Sequence, residues 1–234
     1  MNPLGDDRHL KPWETVRRGL LMLVSSPAGA GKTSLSRRLV ADFDGMTLSI
    51  SATTRPPRPG EEEGREYFFK TREAFEAMAE RGELLEWAEV NGHLYGTPKA
   101  PVMAALEAGK DVMFDIDWQG ARQIAEKAAD DSVRIFILPP SWSDLARRLY
   151  ARAQDSEAVI GQRLDLGRRE ITHWAEYDYV IVNKDFDRAY ADLVHIYRAE
   201  RMKPGRNPWL EPFVASLLSE ALSLIHISEP TRPY

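Results

Sequence analysis

The sequence contains no cysteine. Disulfides, thiol nucleophiles and thiolate-bound metals are therefore excluded from its chemistry. Histidine is sparse: His9, His93, His173, His195 and His226 are scattered, and no two stand at metal-ligand spacing. Positive charge is not in excess, with 31 Lys and Arg against 36 Asp and Glu and a formal net charge of −5. No overall field therefore favours nucleic acid or an anionic membrane as a partner. Long hydrophobic runs are missing too. The apolar run Leu20–Val24 is five residues, far short of the roughly 20 that a membrane span needs, and residues 1–18 have no signal-peptide core. The expectation is a cytoplasmic globular protein of one compact domain with tails, without nucleic-acid or membrane partners.

What is present is a rhythm of short apolar strands and amphipathic helices. Residues 19–26 (GLLMLVSS) read as a buried strand. Lys32 to Phe43 follow as a helix, with Leu35, Leu39 and Phe43 four apart on one face. Further strands are expected at Val112–Asp117, Val133–Leu138 and Tyr179–Asn183. Helices are expected at Gly120–Ala129, Ser141–Ala151 and Asp185–Arg201, the second opening on a Ser-x-x-Asp capping spacing. This alternation predicts an α/β fold with a mostly parallel sheet covered on both faces.

Residues 47–98 break the rhythm. They are rich in Thr, Arg, Pro, Gly and aromatics, with one short helix near 72–81, and read as a β-rich, substrate-binding subdomain. Residues 152–163 are polar, lack aromatics and are suited to a mobile cover. Residues 1–17 read as a loosely held arm. The C-terminal ALSLIHISEPTRPY (221–234) resembles translated adapter sequence, so it is set aside from fold reasoning.

The segment Ser26-Pro27-Ala28-Gly29-Ala30-Gly31-Lys32-Thr33, continuing to Ser34, matches G-x-x-x-x-G-K-[ST] except at its first position, where Ser26 replaces glycine. Gly29 and Gly31 allow successive N–H groups to face phosphate oxygens. A helix starting near Lys32 adds the positive end of its dipole. Lys32 is the expected cation for the β- and γ-phosphates, and the Thr33 hydroxyl the expected Mg²⁺ ligand. ATP binding follows from this motif; the acceptor does not.

Five further motifs occur in order. They are Ser51-Ala52-Thr53-Thr54-Arg55-Pro56-Pro57-Arg58-Pro59-Gly60-Glu61, Tyr67-Phe68-Phe69, Leu85-Glu86-Trp87-Ala88, Tyr95-Gly96-Thr97-Pro98 and Asp115-Ile116-Asp117-Trp118-Gln119-Gly120. From about Arg18 to Arg201 the chain resembles the guanylate kinase family. The resemblance implies a P-loop kinase fold: a parallel five-stranded sheet flanked by helices, with a GMP-binding subdomain (47–98) and a mobile lid (148–163). The kinase-like domain would be 18–201, with 202–234 a tail.

The resemblance also implies roles. Arg55 and Arg58, three apart in a proline-stiffened segment, would grip the GMP phosphate bidentately in a way lysine cannot copy; Tyr67 and Tyr95 would add phenolic donors. Glu86 and Asp117 would accept from the N1–H and 2-amino donors of guanine, and Ser51 and Thr97 would serve the remaining edge. Asp115, at a strand end where α/β sheets place their sites, would join Thr33 in holding Mg²⁺, although such an Asp also serves as a helix cap. Arg148, Arg152 and Arg163 match the family's lid arginines, and Asn183 a position near the adenine. Ala153 departs from the glycine that many relatives carry after Arg152.

The implied reaction is Mg²⁺-dependent transfer of the ATP γ-phosphate to GMP, and to dGMP, giving ADP and GDP in purine nucleotide metabolism. Two rivals stay open here. A P-loop kinase for another phosphorylated acceptor is opposed by the Glu86 and Asp117 pair. A non-catalytic module that binds phosphorylated protein segments in the same cleft is opposed by the presence of Lys32, Thr33 and all three lid arginines.

Overall fold

Leucine, methionine and valine fill β1 (Leu21–Ser25), and every residue of it is buried. Both of its faces are apolar, which is the signature of a strand covered on two sides. Leu20, Met22 and Val24 pack on one face with Leu35, Leu39, Leu193 and Tyr197. Leu21 and Leu23 pack on the other with Val102, Leu106, Ala121 and Ile124. The period of two along the strand therefore sorts the core into two layers.

The computed structural model describes residues 17–90, 92–151 and 157–227. After β1 come α1 (Lys32–Asp42), β2 (Met46–Leu48), β3 (Ser51–Thr53), β4 (Tyr67–Phe69), α2 (Arg72–Glu80), β5 (Leu84–Val90), β6 (His93–Pro98) and α3 (Lys99–Glu107). Next come β7 (Asp111–Asp115), α4 (Trp118–Lys127), β8 (Ser132–Leu138), α5 (Trp142–Ala151), α6 (Glu157–Ile171), β9 (Tyr179–Val182), α7 (Phe186–Arg201) and α8 (Leu210–Ile227). A five-stranded sheet has the order β2-β7-β1-β8-β9, and all four of its pairings are parallel. The expected parallel sheet flanked by helices is thus the observed one.

The second sheet has the order β4-β3-β6-β5. β3 pairs parallel with β4, and β6 pairs antiparallel with β3 and β5. Its core is small, built on Ala52, Phe75, Leu84 and Leu94. This sheet occupies the stretch that the sequence singles out as β-rich.

Four elements are additional to the expected set or longer. β2 has three residues, of which only Met46 is buried. α3 buries Val102 and Leu106 alone. α6 begins inside the polar 152–163 stretch and runs to Ile171, burying only Ile160 and Gly167. α8 carries the helical path into residues 221–227; residues 228–234 and the arm at 1–16 lie outside the described residues. Between α7 and α8, buried Arg206 donates to the Glu200 carboxylate at 2.9 Å and to the Asp130 carbonyl at 2.8 Å. The turn after α7 is thereby tied to the sheet's underside.

One helix start follows the capping spacing read from sequence, and a second shows the same chemistry. The Asp144 N–H donates to Ser141 Oγ at 3.0 Å, closing the capping spacing of α5. The Arg188 N–H donates to Asp185 Oδ1 at 2.9 Å at the start of α7.

Candidate active site

The loop joining β1 to α1 sits where the parallel strands end. Gly29 and Gly31 have φ of 91° and 104°, a region that only glycine enters without strain. At Gly31 space forbids a side chain as well, since a Cβ there would lie 2.3 Å from Asn183 Nδ2. That amide donates to the Ala30 carbonyl at 2.7 Å, so Asn183, at the end of β9, pins the loop from below. The replacement of glycine by Ser26 is accommodated by a local bond: the hydroxyl donates to the Pro27 carbonyl at 3.0 Å. Ser26, Pro27 and Ala30 are buried, Ala28, Gly29, Gly31 and Lys32 are half-buried, and Thr33 and Ser34 are exposed.

Lys32 and Thr33 open α1 and reach the end of β7. The Lys32 ammonium forms an ion pair with Asp115 and donates to the Ile116 carbonyl at 3.3 Å. The Thr33 hydroxyl donates to Asp115 Oδ2 at 2.6 Å. Asp115 therefore joins both loop residues through its two oxygens. The helix-cap role that competes for a strand-end Asp falls on Asp117, whose Oδ1 accepts from the Gly120 N–H at 2.8 Å. One oxygen of Asp117 is thereby fixed and its carboxylate aimed.

Glu86 on β5 approaches the same helix start, since a Cβ added at Gly120 would lie 3.3 Å from Glu86 Oε2. Thr97, across the β5–β6 ladder from Glu86, donates its hydroxyl to Glu86 Oε1 at 2.8 Å. Both side chains are buried, Glu86 being 8% exposed. Burial pushes the Glu86 carboxyl up to about 7; the Thr97 hydroxyl bond opposes this, and the Asp117 charge adds to it. Two carboxylates and a hydroxyl thus converge on one spot. Ser51 lies half-buried at the start of β3, in register with Tyr67.

The phosphate-gripping candidates gather on the second sheet. Arg55 Nη2 donates to Glu61 Oε1 at 2.9 Å, and its guanidinium lies 5.4 Å from the Tyr67 ring centroid. Tyr67 and Tyr95 meet edge to face at 6.1 Å. Glu61 also accepts from the Arg58 N–H at 2.7 Å, and the Arg58 side chain is exposed. The bond to Arg55 and the one from the Arg58 N–H hold the Glu61 carboxyl below its usual range, while Glu61 raises the Arg55 guanidinium. Glu61 is a residue that sequence reasoning quotes without a role. Its spacing in R-x-x-R-x-x-E is the signal that identifies it.

Of the lid candidates, Arg148 on α5 donates to the Asn183 carbonyl at 2.9 Å and to the Ala30 carbonyl at 3.4 Å. Arg163 stands half-exposed on α6. Arg152 lies outside the described residues. Gly29, Gly31, Ser34, Arg148, Asn183 and Phe186 line a cavity of about 490 Å³ beside the loop, of a size to receive a heterocycle. No helix among the described residues is long and apolar enough to cross a membrane.

Known proteins resemble this chain over most of its length. The guanylate kinase family model matches residues 18–200. A guanylate kinase of Caulobacter vibrioides is 56% identical over 205 residues, covering 88% of this chain and 96% of that protein. One of Nitrobacter winogradskyi is 56% identical over 201 residues, covering 86% and 92%. The crystal structure of guanylate kinase from Anaplasma phagocytophilum superposes with a TM-score of 0.68 at 35% identity, covering 86% of this chain and 96% of that one. With a family model matched over residues 18–200 and relatives matched over most of both chains, the chain belongs to the guanylate kinase family.

Proposed function

We propose that this chain transfers the γ-phosphoryl group of ATP to GMP, giving ADP and GDP. The observation that carries the reading is the convergence of Glu86, Thr97 and Asp117 opposite the Lys32–Thr33 loop. Guanine presents N1–H and 2-amino donors on one edge, where adenine presents the reverse polarity at N1, so carboxylate acceptors select it. An adenine there would leave buried acceptors unpaired, which is costly. Arg55, Arg58, Tyr67 and Tyr95 are assigned to the acceptor phosphate, and Ser51 to the base edge. We include dGMP as a second acceptor, as the family resemblance implies.

On the donor side, Ser26–Ser34 holds the ATP phosphates and the cavity beside Asn183 its base. The transfer is in line, without a covalent intermediate, because the GMP phosphate oxygen is already nucleophilic. The protein's part is positioning and charge neutralisation. Lys32 exchanges Asp115 for donor phosphate oxygens, and Arg55 loosens from Glu61 to meet the acceptor phosphate. Residues 148–163 act as the lid, carrying Arg148, Arg152 and Arg163 onto the transferring group and excluding water that would otherwise hydrolyse ATP.

Thr33 and Asp115 are hard oxygen donors 2.6 Å apart, a set that suits Mg²⁺, which takes one or two protein ligands and completes its shell with phosphate and water. When bound there it would neutralise charge on the phosphates. A cytosolic setting fits a cysteine-free chain acting on free nucleotides. The test is release of ADP from ATP and Mg²⁺ by purified protein with and without GMP. Turnover that depends on GMP is expected, and its absence refutes the reading.

A further inference from the structure

Helix α6 turns one face to the phosphate loop. Arg163, Gly167 and Glu170 stand at i, i+4 and i+7 and so share that face. Gly167 is buried, and a Cβ built on it would lie 3.2 Å from the Pro27 Cβ. The helix backbone therefore rests on the loop at Gly167, with Arg163 on one side of the contact and Glu170 on the other.

Glu170 Oε2 is buried and has no hydrogen-bond partner among the described residues. A buried carboxylate oxygen left unpaired costs about 1–3 kcal/mol or more, and native folds keep few such groups without a reason. Burial pushes the Glu170 carboxyl up, the Lys32 ammonium pulls it down, and Asp117 pushes it up again. Geometry agrees: Glu170 stands about one helical turn beyond Gly167, whose position abuts Pro27 of the loop that carries Lys32. A glutamine would fill the same space without the repulsion from Asp117.

Lys32 is paired with Asp115 in this structure, and Asp115 also accepts from Thr33. If Thr33 and Asp115 held a metal together with the donor phosphates, Lys32 would lose that counter-charge. We propose that Glu170 is a positioning residue for Lys32, supplying the second counter-charge that keeps the ammonium over the phosphate loop once Asp115 is engaged. Because Glu170 rides on the helix that carries Arg163, the same contact couples the seating of that helix to the position of Lys32. This inference rests on the reaction proposed above and adds a residue to it.

Steady-state kinetics, ATP titration and thermal melts of Glu170→Gln test it. Loss of the charge at constant shape is expected to lower kcat about tenfold or more through misplacement of Lys32. KM for GMP stays within about twofold, since the acceptor site keeps its groups. The melting temperature holds or rises, because an unpartnered buried carboxylate is removed. ATP affinity falls about threefold or more in the Lys32 protein, and Glu170→Gln has no such effect in a Lys32→Ala background, which lacks the group it acts on. An unchanged kcat overturns the proposal. So does a melting temperature that falls together with kcat, which would mark a merely structural role, or an equal loss of ATP affinity in both backgrounds. Wild-type turnover of GMP in the same series reports separately on the assigned reaction.

Discussion

Changing Glu86 to glutamine removes a buried negative charge while keeping the side chain's length and its contact with Thr97. The side chain is 8% exposed and its carboxyl is pushed up to about 7 by burial, against 4.5 for an ordinary glutamate. The folded protein therefore keeps a proton that the unfolded chain releases between pH 4.5 and about 7. Stability falls with rising pH across that window and is flat above it. The gap corresponds to about 3 kcal/mol of stability lost above pH 7. Burying the glutamine amide returns part of this, so the expected gain at pH 8 is about 1–3 kcal/mol, shrinking to nothing near pH 4.5. For a chain of this size that is a rise of roughly 2–10 °C in melting temperature.

Recognition moves the other way. Glutamine turns a donor toward the donors of guanine, which costs roughly 2–4 kcal/mol and lowers kcat/KM for GMP about 30- to 1000-fold. The wild-type kcat/KM should also climb with pH through about 7, as Glu86 sheds its proton and becomes an acceptor, and the variant should lose that limb. Melts at pH 5 and pH 8 and a coupled ADP-release assay measure both effects. A kcat/KM within about threefold of wild type, or a lowered melting temperature at pH 8, refutes the reasoning.

Arg55→Ala is expected to raise KM for GMP about tenfold or more with a smaller change for ATP, since it strips the guanidinium that Glu61 and Tyr67 hold in place; an unchanged KM removes Arg55 from the phosphate grip. Gly31→Ala should abolish ATP binding and lower the melting temperature, because its Cβ would meet the Asn183 amide at 2.3 Å on a backbone with φ of 104°; near-normal binding contradicts the loop geometry. Truncation after Glu220 should leave kcat unchanged, because α8 (Leu210–Ile227) lies beyond residues 18–200, which the family model matches; a fall in kcat would show that the tail contributes to the enzyme.

Much of this was legible because the informative residues lie in long or tightly spaced patterns. β1 and Val112–Phe114 of β7 are continuous apolar runs buried on both faces, and Ile135–Ile137 of β8 and Tyr179–Val182 of β9 are apolar runs too, so these strands show in the letters themselves although β9 exposes Val180 and Val182. β2 exposes Thr47 and Leu48 and holds its place by pairing with β7, which no local pattern reveals. α6 hides for the opposite reason: it buries only Ile160 and Gly167, and its contact with Pro27 is made at Gly167, which has no side chain to read. In the site, Lys32 and Thr33 follow from a contiguous motif, and the acceptor residues follow from resemblance to a family. Glu61 and Glu170 were unread because their importance rests on partners that only the fold assembles. The division of labour between Asp115 and Asp117 was likewise undecided until the N–H of Gly120 was seen to bind the second of them.

The central claim is that the cleft facing the phosphate loop selects guanine. Initial rates of ADP release from ATP, taken with GMP, dGMP, AMP, CMP and UMP as acceptors, test it most directly. kcat/KM for GMP is expected to exceed that for AMP by about 10³-fold or more, with dGMP accepted. Comparable rates for AMP and GMP, or a preference for AMP, would contradict it.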